Sequence, residues 1–302
     1  MSTYLVLGAG PIGRATASSL VRRGHKVKVG TRSGTAVEGA QALTLDATDT
    51  AALTAAATGC DAVVICTNPP YHRWETDWPP VIESAIAAAK ATGARLALMG
   101  NLYPFGKPTG PMSAAIPEAP TEAKGRVRQQ LWQVLQASGV PAVELRASDY
   151  FGPHAGPGTQ AGDRLFFPLL SGKTAWVVGR PDALHSWSFA PDIGECLAIL
   201  ATRPELSGRI WVGPKSGDAT LRKLSQMISS TAAVRHIPNL AVAALGLFLP
   251  LIREIHRILY QHTETYVLDD SELRAAFEFT PTPLEEAIRA TVSAARADLA
   301  AG

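Results

Sequence analysis

A chain of 302 residues that is 46% hydrophobic and only 18% charged can bury a large core, so disorder is excluded. The net charge is +2 and no run of five basic residues occurs, which excludes the electrostatic footprint of a nucleic-acid binder. The three cysteines, Cys60, Cys66 and Cys196, form no CxxC pair. They argue against a disulfide framework or a cysteine zinc site and favour a reducing cytoplasm. The stretch MSTYLVLGAG has no basic segment ahead of its apolar run, unlike a signal peptide. The longest apolar run, residues 240 to 252, falls short of the ~20 residues of a spanning helix. No membrane span is expected; that run reads as a buried helix or a lid over an apolar pocket.

The first half alternates between two periods. Tyr4–Leu7 reads as a strand, followed by glycines and a helix through about Val21. Lys26–Val29 and Ala42–Leu45 read as strands, and the Ala-rich stretch Thr50–Ala57 as a helix. Ala62–Cys66 is continuously apolar, as a strand buried on both faces of a parallel sheet must be. Pro79 and Pro80 are expected to open a helix to about Ala91, because proline is tolerated in a first turn. Arg95–Met99, a helix at about Lys124–Ala137 and a strand at Val140–Leu145 complete the pattern. Strict alternation predicts an α/β fold, a Rossmann-type doubly wound parallel sheet.

Beyond Arg146 the rhythm changes. Strands are expected at Ala175–Val178, Ser186–Phe189 and Arg209–Val212, with a helix at Ile193–Ala201. Helices are then expected at Leu221–Ser230, Leu240–Gln261, Asp270–Ala276 and Pro283–Leu299. The organisation expected is a dinucleotide-binding core over residues 1–150, joined again by residues 186–215. Residues 151–302 form a smaller, mainly helical substrate lobe that does not fold independently.

Gly8, Gly10 and Gly13, in GAGPIG with Pro11 and Ile12, lie between the first strand and the first helix. Such glycines permit a tight turn and close backbone approach, and the helix N-terminus offers N–H groups to a pyrophosphate. Nineteen residues beyond Gly13, where an NAD site places an acid, stands Arg32 between Thr31 and Ser33. Arginine clamps a 2′-phosphate that an acid would repel, so NADP(H) is favoured over NAD(H). Arg14 is a second candidate for that phosphate, or a solvated first-turn side chain. Asp46 and Ala47, in LDATD, are candidates for the adenine side, Asp46 alternatively being a turn or cap residue, as Asp49 is. Thr67 and Asn68 close the fourth strand at the edge the glycines occupy and are further cofactor candidates, Asn68 for the ribose or the backbone, or alternatively as a simple turn residue.

Together the glycine loop, LDATD, CTNPP, RASDYFGP and HSWSFAPDIGECLAIL resemble, in order and spacing, the short-chain dehydrogenase/reductase superfamily, in particular its extended and atypical epimerase/dehydratase-like members. The resemblance implies an active site of Ser, Tyr and Lys, the last two as Tyr-x-x-x-Lys. In that pattern the Tyr exchanges a proton with a substrate alcohol, while the Lys lowers its pKa and holds the nicotinamide ribose. Here Asn101, in GNLYPFG, occupies the Ser position, Lys124 matches the motif Lys, and Pro120 stands where the Tyr is expected. Tyr103 is the preferred replacement, Tyr150 is a second, and a site without a side-chain acid is a third. Asn101 retains an amide donor for a carbonyl oxygen. Tyr71, Tyr150 and His154 are the candidate substrate contacts.

The seven histidines show no metal spacing: His256 and His262 are about 600° apart on a helix, and no metal is expected. The reading is an NADP-dependent oxidoreductase that transfers a hydride to or from a carbonyl, alcohol or enone of a small apolar molecule. The alternatives are a non-catalytic NADP-binding sensor and a sugar-nucleotide epimerase or dehydratase, the latter disfavoured by few basic residues for a diphosphate. A homodimer is the default assembly.

Overall fold

Short apolar runs bounded by glycine and polar turns become strands, and the Ala-rich segments between them become helices. The computed structural model describes residues 1–231 and 233–301. β1 (Thr3–Leu7) leads into α1 (Pro11–Arg22), and β2 (Lys26–Thr31), β3 (Gln41–Thr44), α2 (Thr50–Ala57) and β4 (Ala62–Ile65) follow. A 3-10 turn at Tyr71–Arg73 runs into α3 (Trp74–Thr92), and then come β5 (Arg95–Asn101), α4 (Ala123–Ala137) and β6 (Ala142–Ala147). Next are β7 (Tyr150–Phe151), α5 (Asp163–Leu170), β8 (Ala175–Val177), β9 (His185–Phe189), α6 (Ala190–Thr202) and β10 (Ile210–Val212). β11 (Gly217–Ala219), α7 (Leu221–Ile228) and β12 (Val234–His236) precede α8 (Asn239–Gly246), α9 (Pro250–Arg257), α10 (Tyr260–Thr263), α11 (Ser271–Phe277) and α12 (Leu284–Ala301).

Two compact units result. The first comprises residues 1–106, 114–147 and 191–212. Its seven strands form one sheet in the order β10-β6-β5-β4-β1-β2-β3, every pair parallel. This is a doubly wound Rossmann-type sheet, and the strand order reverses between β1 and β4, where such folds bind ligands. Leu7 pairs with Ile65, so those two strands end together and deliver Gly8 and Thr67 to one edge. One sheet face packs Leu5, Leu7, Val63, Ile65, Leu96 and Leu98 against Trp78, Ile82 and Leu131. On the other side α6 reaches α1: a Cβ on Gly194 would lie 2.5 Å from that of Ala15, and Glu195 takes hydrogen bonds from Ser19 and Arg23.

The second unit comprises residues 107–113, 148–190 and 213–302. It holds a three-stranded sheet, β11-β9-β7, and the pair β12-β8. Its own apolar cluster centres on Phe151, Leu165, Phe166, Trp187, Leu224 and Ile288.

Two helix boundaries differ from the sequence reading. α3 begins at Trp74, so Pro79 and Pro80 lie inside it. The helix forfeits two backbone hydrogen bonds there, while Trp74, Trp78 and Ile82 are buried on one face. The single helix expected over 240–261 is instead α8, α9 and α10, because Pro250 starts a new helix at its first position. Of the two readings offered for this stretch, the buried helix is not what forms: Leu240, Leu247 and Phe248 are 82%, 78% and 83% exposed. Among the described residues no helix is long and apolar enough to cross a membrane, and all three cysteines are free thiols.

Candidate functional site

The glycine loop divides its labour among its three glycines. Gly8 has φ +98°, and a Cβ there would stand 2.8 Å from the Thr67 nitrogen. Only glycine allows β1 to turn so close to the end of β4. A Cβ on Gly13 would collide with the Gly8 carbonyl, so Gly13 lets α1 press against the turn. Gly10 is different, since nothing lies within 4 Å of where its Cβ would be. Gly10 is also the N-cap of α1, with no side-chain cap, Pro11 in the first turn and no acid there. The first-turn N–H groups and the positive end of the helix dipole therefore face open space, the arrangement that accepts a pyrophosphate. The residues fit a dinucleotide.

At the end of β2 the Arg32 side chain is exposed. Its neighbours are committed to the loop: Thr31 Oγ1 accepts from the Thr35 N–H at 2.8 Å, and Ser33 Oγ pairs with Thr35 Oγ1 at 2.8 Å. Arg14 reaches from α1 to the Ala36 carbonyl, 3.3 Å away, so it braces the same loop. Asp46 accepts from the Thr48 N–H at 2.9 Å and from its hydroxyl at 2.8 Å. Those bonds hold its pKa below the usual carboxylate range, with the Arg32 charge adding to them. Asp46 thus closes its own turn, Ala47 packs on the core, and Asp49 caps α2 through the Ala52 N–H.

The catalytic candidates assemble from three elements of the first unit. Tyr71 and Tyr103 place their hydroxyls 3.2 Å apart, with Tyr71 donating. Lys124, 3% exposed, sets its Nζ 4.5 Å from the Tyr71 ring centroid and 5.5 Å from that of Trp74. Trp74 stacks on Tyr103 with centroids 5.9 Å apart. Local sequence explains the placement. Asn101 Oδ1 accepts from the Tyr103 N–H at 3.2 Å, which turns the chain directly after β5. Gly125 then lets the first turn of α4 approach, since a Cβ there would stand 2.6 Å from the Tyr103 carbonyl and 2.8 Å from the Pro120 Cβ. Glu122 caps α4 by accepting from the Lys124 and Gly125 N–H groups at 2.6 and 2.8 Å.

Two members of this cluster escaped the sequence reading. Arg128 is buried and lies 4.6 Å from the Trp74 ring and 4.3 Å from the Trp78 ring. It donates to the Met99 carbonyl at 3.1 Å and to Asn68 Oδ1 at 3.5 Å. Burial lowers its pKa to about 10, against the pull of Glu144. Trp74 is the other. The available signal was spacing: Tyr71, Trp74 and Trp78 recur at helical intervals, as Lys124 and Arg128 do, so each set shares a face.

The remaining candidates belong to the second unit. Tyr150 begins β7, and its carbonyl accepts from the Thr159 hydroxyl at 2.6 Å. Burial, with help from the Asp149 charge, raises its phenol pKa. His154 is exposed in a loop with φ 61°. Folding also joins three residues that spacing does not connect: Asp149, His185 and His262. Asp149 Oδ2 is 3.3 Å from His185 Nε2 and 3.6 Å from His262 Nε2. Burial pushes the His262 pKa down to about 4. Burial acts on Asp149 in the opposite sense, but His185 and His262 outweigh it and hold that carboxyl low.

Comparison with known proteins agrees with the fold. Residues 8–149 match the family model described as NAD(P)H-binding, and no curated protein matches the chain by sequence. Solved structures match along almost the whole length. The UDP-glucose 4-epimerase of Thermotoga maritima with UDP-glucose superposes with a TM-score of 0.79 at 15% identity, over 98% of this chain and 99% of that one. The UDP-glucuronic acid 4-epimerase of Bacillus cereus, in complex with UDP-glucuronic acid and NAD, gives 0.78 at 17% identity over 98% and 99%. The dTDP-glucose 4,6-dehydratase of Bacillus anthracis, in complex with NAD, gives 0.79 at 13% over 99% and 97%.

Proposed function

We propose that this chain, which carries an NAD(P)H-binding domain in the Rossmann fold shared with the epimerase and dehydratase structures, is a cytoplasmic NADP-dependent oxidoreductase acting on a carbonyl, alcohol or enone of a small apolar molecule. The observation that carries this reading is the Tyr71–Tyr103 hydroxyl pair beside buried Lys124. It supplies a proton donor and a cation although Pro120 occupies the expected tyrosine position. Gly8, Gly10, Gly13 and the α1 N-terminus would hold the dinucleotide, Arg32 its 2′-phosphate, and Lys124 its ribose. When bound, that cofactor supplies or accepts the hydride.

The protein's own part is proton handling and orientation. Tyr103 exchanges the proton with the substrate oxygen. Tyr71, with the Lys124 ammonium over its ring, donates to Tyr103 Oη and so stabilises the phenolate as it develops. Asn101 is fixed through its carbonyl, which leaves its amide group to polarise a substrate oxygen. The partly buried aromatic rings of Tyr71 and Tyr103 favour an apolar substrate. A second reading, a sugar-nucleotide epimerase, is supported by what the similar structures bind: UDP-glucose and UDP-glucuronic acid with NAD.

Two binding measurements test the cofactor assignment. In a fluorescence titration NADPH is expected to bind at least ~10-fold tighter than NADH, a gap of about 1.4 kcal/mol, and Arg32→Ala is expected to erase that preference. Equal affinities in the unaltered protein would overturn the NADP assignment. Gly10→Ala is expected to leave the melting temperature unchanged, because its methyl meets no protein atom, and to weaken NADPH binding by occupying the space before the helix. Unaltered affinity would show that the dinucleotide lies elsewhere. Turnover with a carbonyl panel, against binding without turnover, separates the enzyme from a sensor.

A further inference from the structure

Two imidazole nitrogens and a carboxylate oxygen converge in the second unit, apart from the residues assigned to the dinucleotide. The donor atoms of Asp149, His185 and His262 all lie within 4.8 Å of one another. A metal with ligands at 2.0–2.1 Å in a tetrahedron separates neighbouring donors by about 3.3 Å. The two edges that meet at Asp149 Oδ2 measure 3.3 and 3.6 Å. His185 and His262 are buried, at 4% and 9% side-chain exposure.

The hydrogen bonding around the cluster leaves those atoms aimed inward. His185 Nδ1 lies 3.1 Å from the Gln261 carbonyl, which can only accept, so the ring proton sits on Nδ1. The other ring nitrogen, Nε2, faces the Asp149 carboxylate oxygen at 3.3 Å. Asp149 Oδ2 is itself buried, and its contacts at 3.3 and 3.6 Å are to the two ring nitrogens. A backbone carbonyl fixing the distal nitrogen is the support that metal-binding histidines use. One divalent ion set between the three donors would satisfy all of them at once.

The backbone holds each ligand in place. The Asp149 carbonyl accepts from the Ser188 N–H at 3.0 Å, and the His262 carbonyl accepts from the Arg180 N–H at 2.7 Å. His185 pairs with Ala219 in the β9–β11 ladder and bridges Tyr266. Ser148 Oγ is also 3.3 Å from His185 Nε2, so the fourth corner can be taken by that hydroxyl or by water.

We infer that Asp149, His185 and His262 form a site for one divalent transition-metal ion of the zinc class. Two imidazoles with one carboxylate suit zinc, cobalt or iron(II) and disfavour the oxygen-seeking magnesium and calcium.

The test uses full-length protein stripped of metal by a chelator and titrated with cobalt(II) alone. One cobalt per chain is expected, with the visible absorption of a tetrahedral ion, and zinc should displace it. Zinc should also raise the melting temperature of the unaltered protein. Altering a supporting residue outside the coordination sphere already costs up to about 100-fold in metal affinity, so Asp149→Asn and His262→Gln should each lose at least that much. His256→Gln, an exposed histidine of α9, should bind as the unaltered protein does. The inference fails if the folded, unaltered protein takes up no stoichiometric cobalt or zinc and its melting point does not move. It fails equally if Asp149→Asn and His262→Gln, shown to be folded by circular dichroism, bind as tightly as the control.

Discussion

Replacing Tyr103 with phenylalanine is expected to lower kcat/KM by about 10²- to 10⁴-fold, the range of a lost general acid, with NADPH affinity unchanged. The ring stacked on Trp74 remains, so the variant removes one oxygen and little packing. Tyr71→Phe should cost less, about 10- to 100-fold, because it removes a hydrogen bond to a developing anion, worth roughly 1.5–3 kcal/mol. Steady-state kinetics on the first carbonyl found to turn over would measure both. The order matters as much as the size. If Tyr71→Phe is the more damaging, the proton donor is Tyr71 and Tyr103 supports it. If neither change alters the rate, the acid lies outside this pair, and Tyr150 or a site without a side-chain acid becomes the assignment.

Arg146→Met is expected to destabilise the protein by about 3–5 kcal/mol, the cost of leaving a buried charge without its partner. Arg146 is fully buried in β6, 2.8 Å from equally buried Glu144 and 2.6 Å from Glu118. Burial works against the Arg146 charge, but the two carboxylates outweigh it and raise its pKa. Burial also raises the Glu144 pKa, with Arg146 opposing. Room for Glu144 is made by Gly100 on β5, where any Cβ would strike the Glu144 carboxylate. A thermal melt should fall by on the order of 10 °C. The double variant Glu144→Gln, Arg146→Met should recover part of the loss, since it removes both buried charges together. A double variant as unstable as the single one would mean that packing of the arginine stem, rather than its charge, holds this part of the sheet.

Much of the first unit is legible along the chain because its signals are local. A strand buried on both faces, such as β4, is an unbroken apolar run, and the glycine loop is three residues whose roles depend on backbone sterics within a few positions. Helix boundaries were less legible where two local rules competed. Pro79 and Pro80 read as a helix start, yet burial of Trp74 and Trp78 outweighs the lost hydrogen bonds and carries α3 back to Trp74. At Pro250 the reverse occurred, and the proline divided a segment that hydropathy alone had joined.

Composition, the alternation of periods and the spacing of the glycines were enough to determine a doubly wound sheet with a glycine loop at its first strand–helix turn, since each rests on contacts between near neighbours in sequence. Only the tertiary structure decided which side chains meet beyond that. Tyr71 follows β4, Tyr103 follows β5 and Lys124 opens α4, and no spacing rule links them; the parallel sheet does, by ending its strands on one edge. Asp149, His185 and His262 come from three further segments, so no spacing along the chain brings them together. Long-range proximity depends on strand register and on how segments far apart in sequence are paired, and neither is written in any single stretch of the chain.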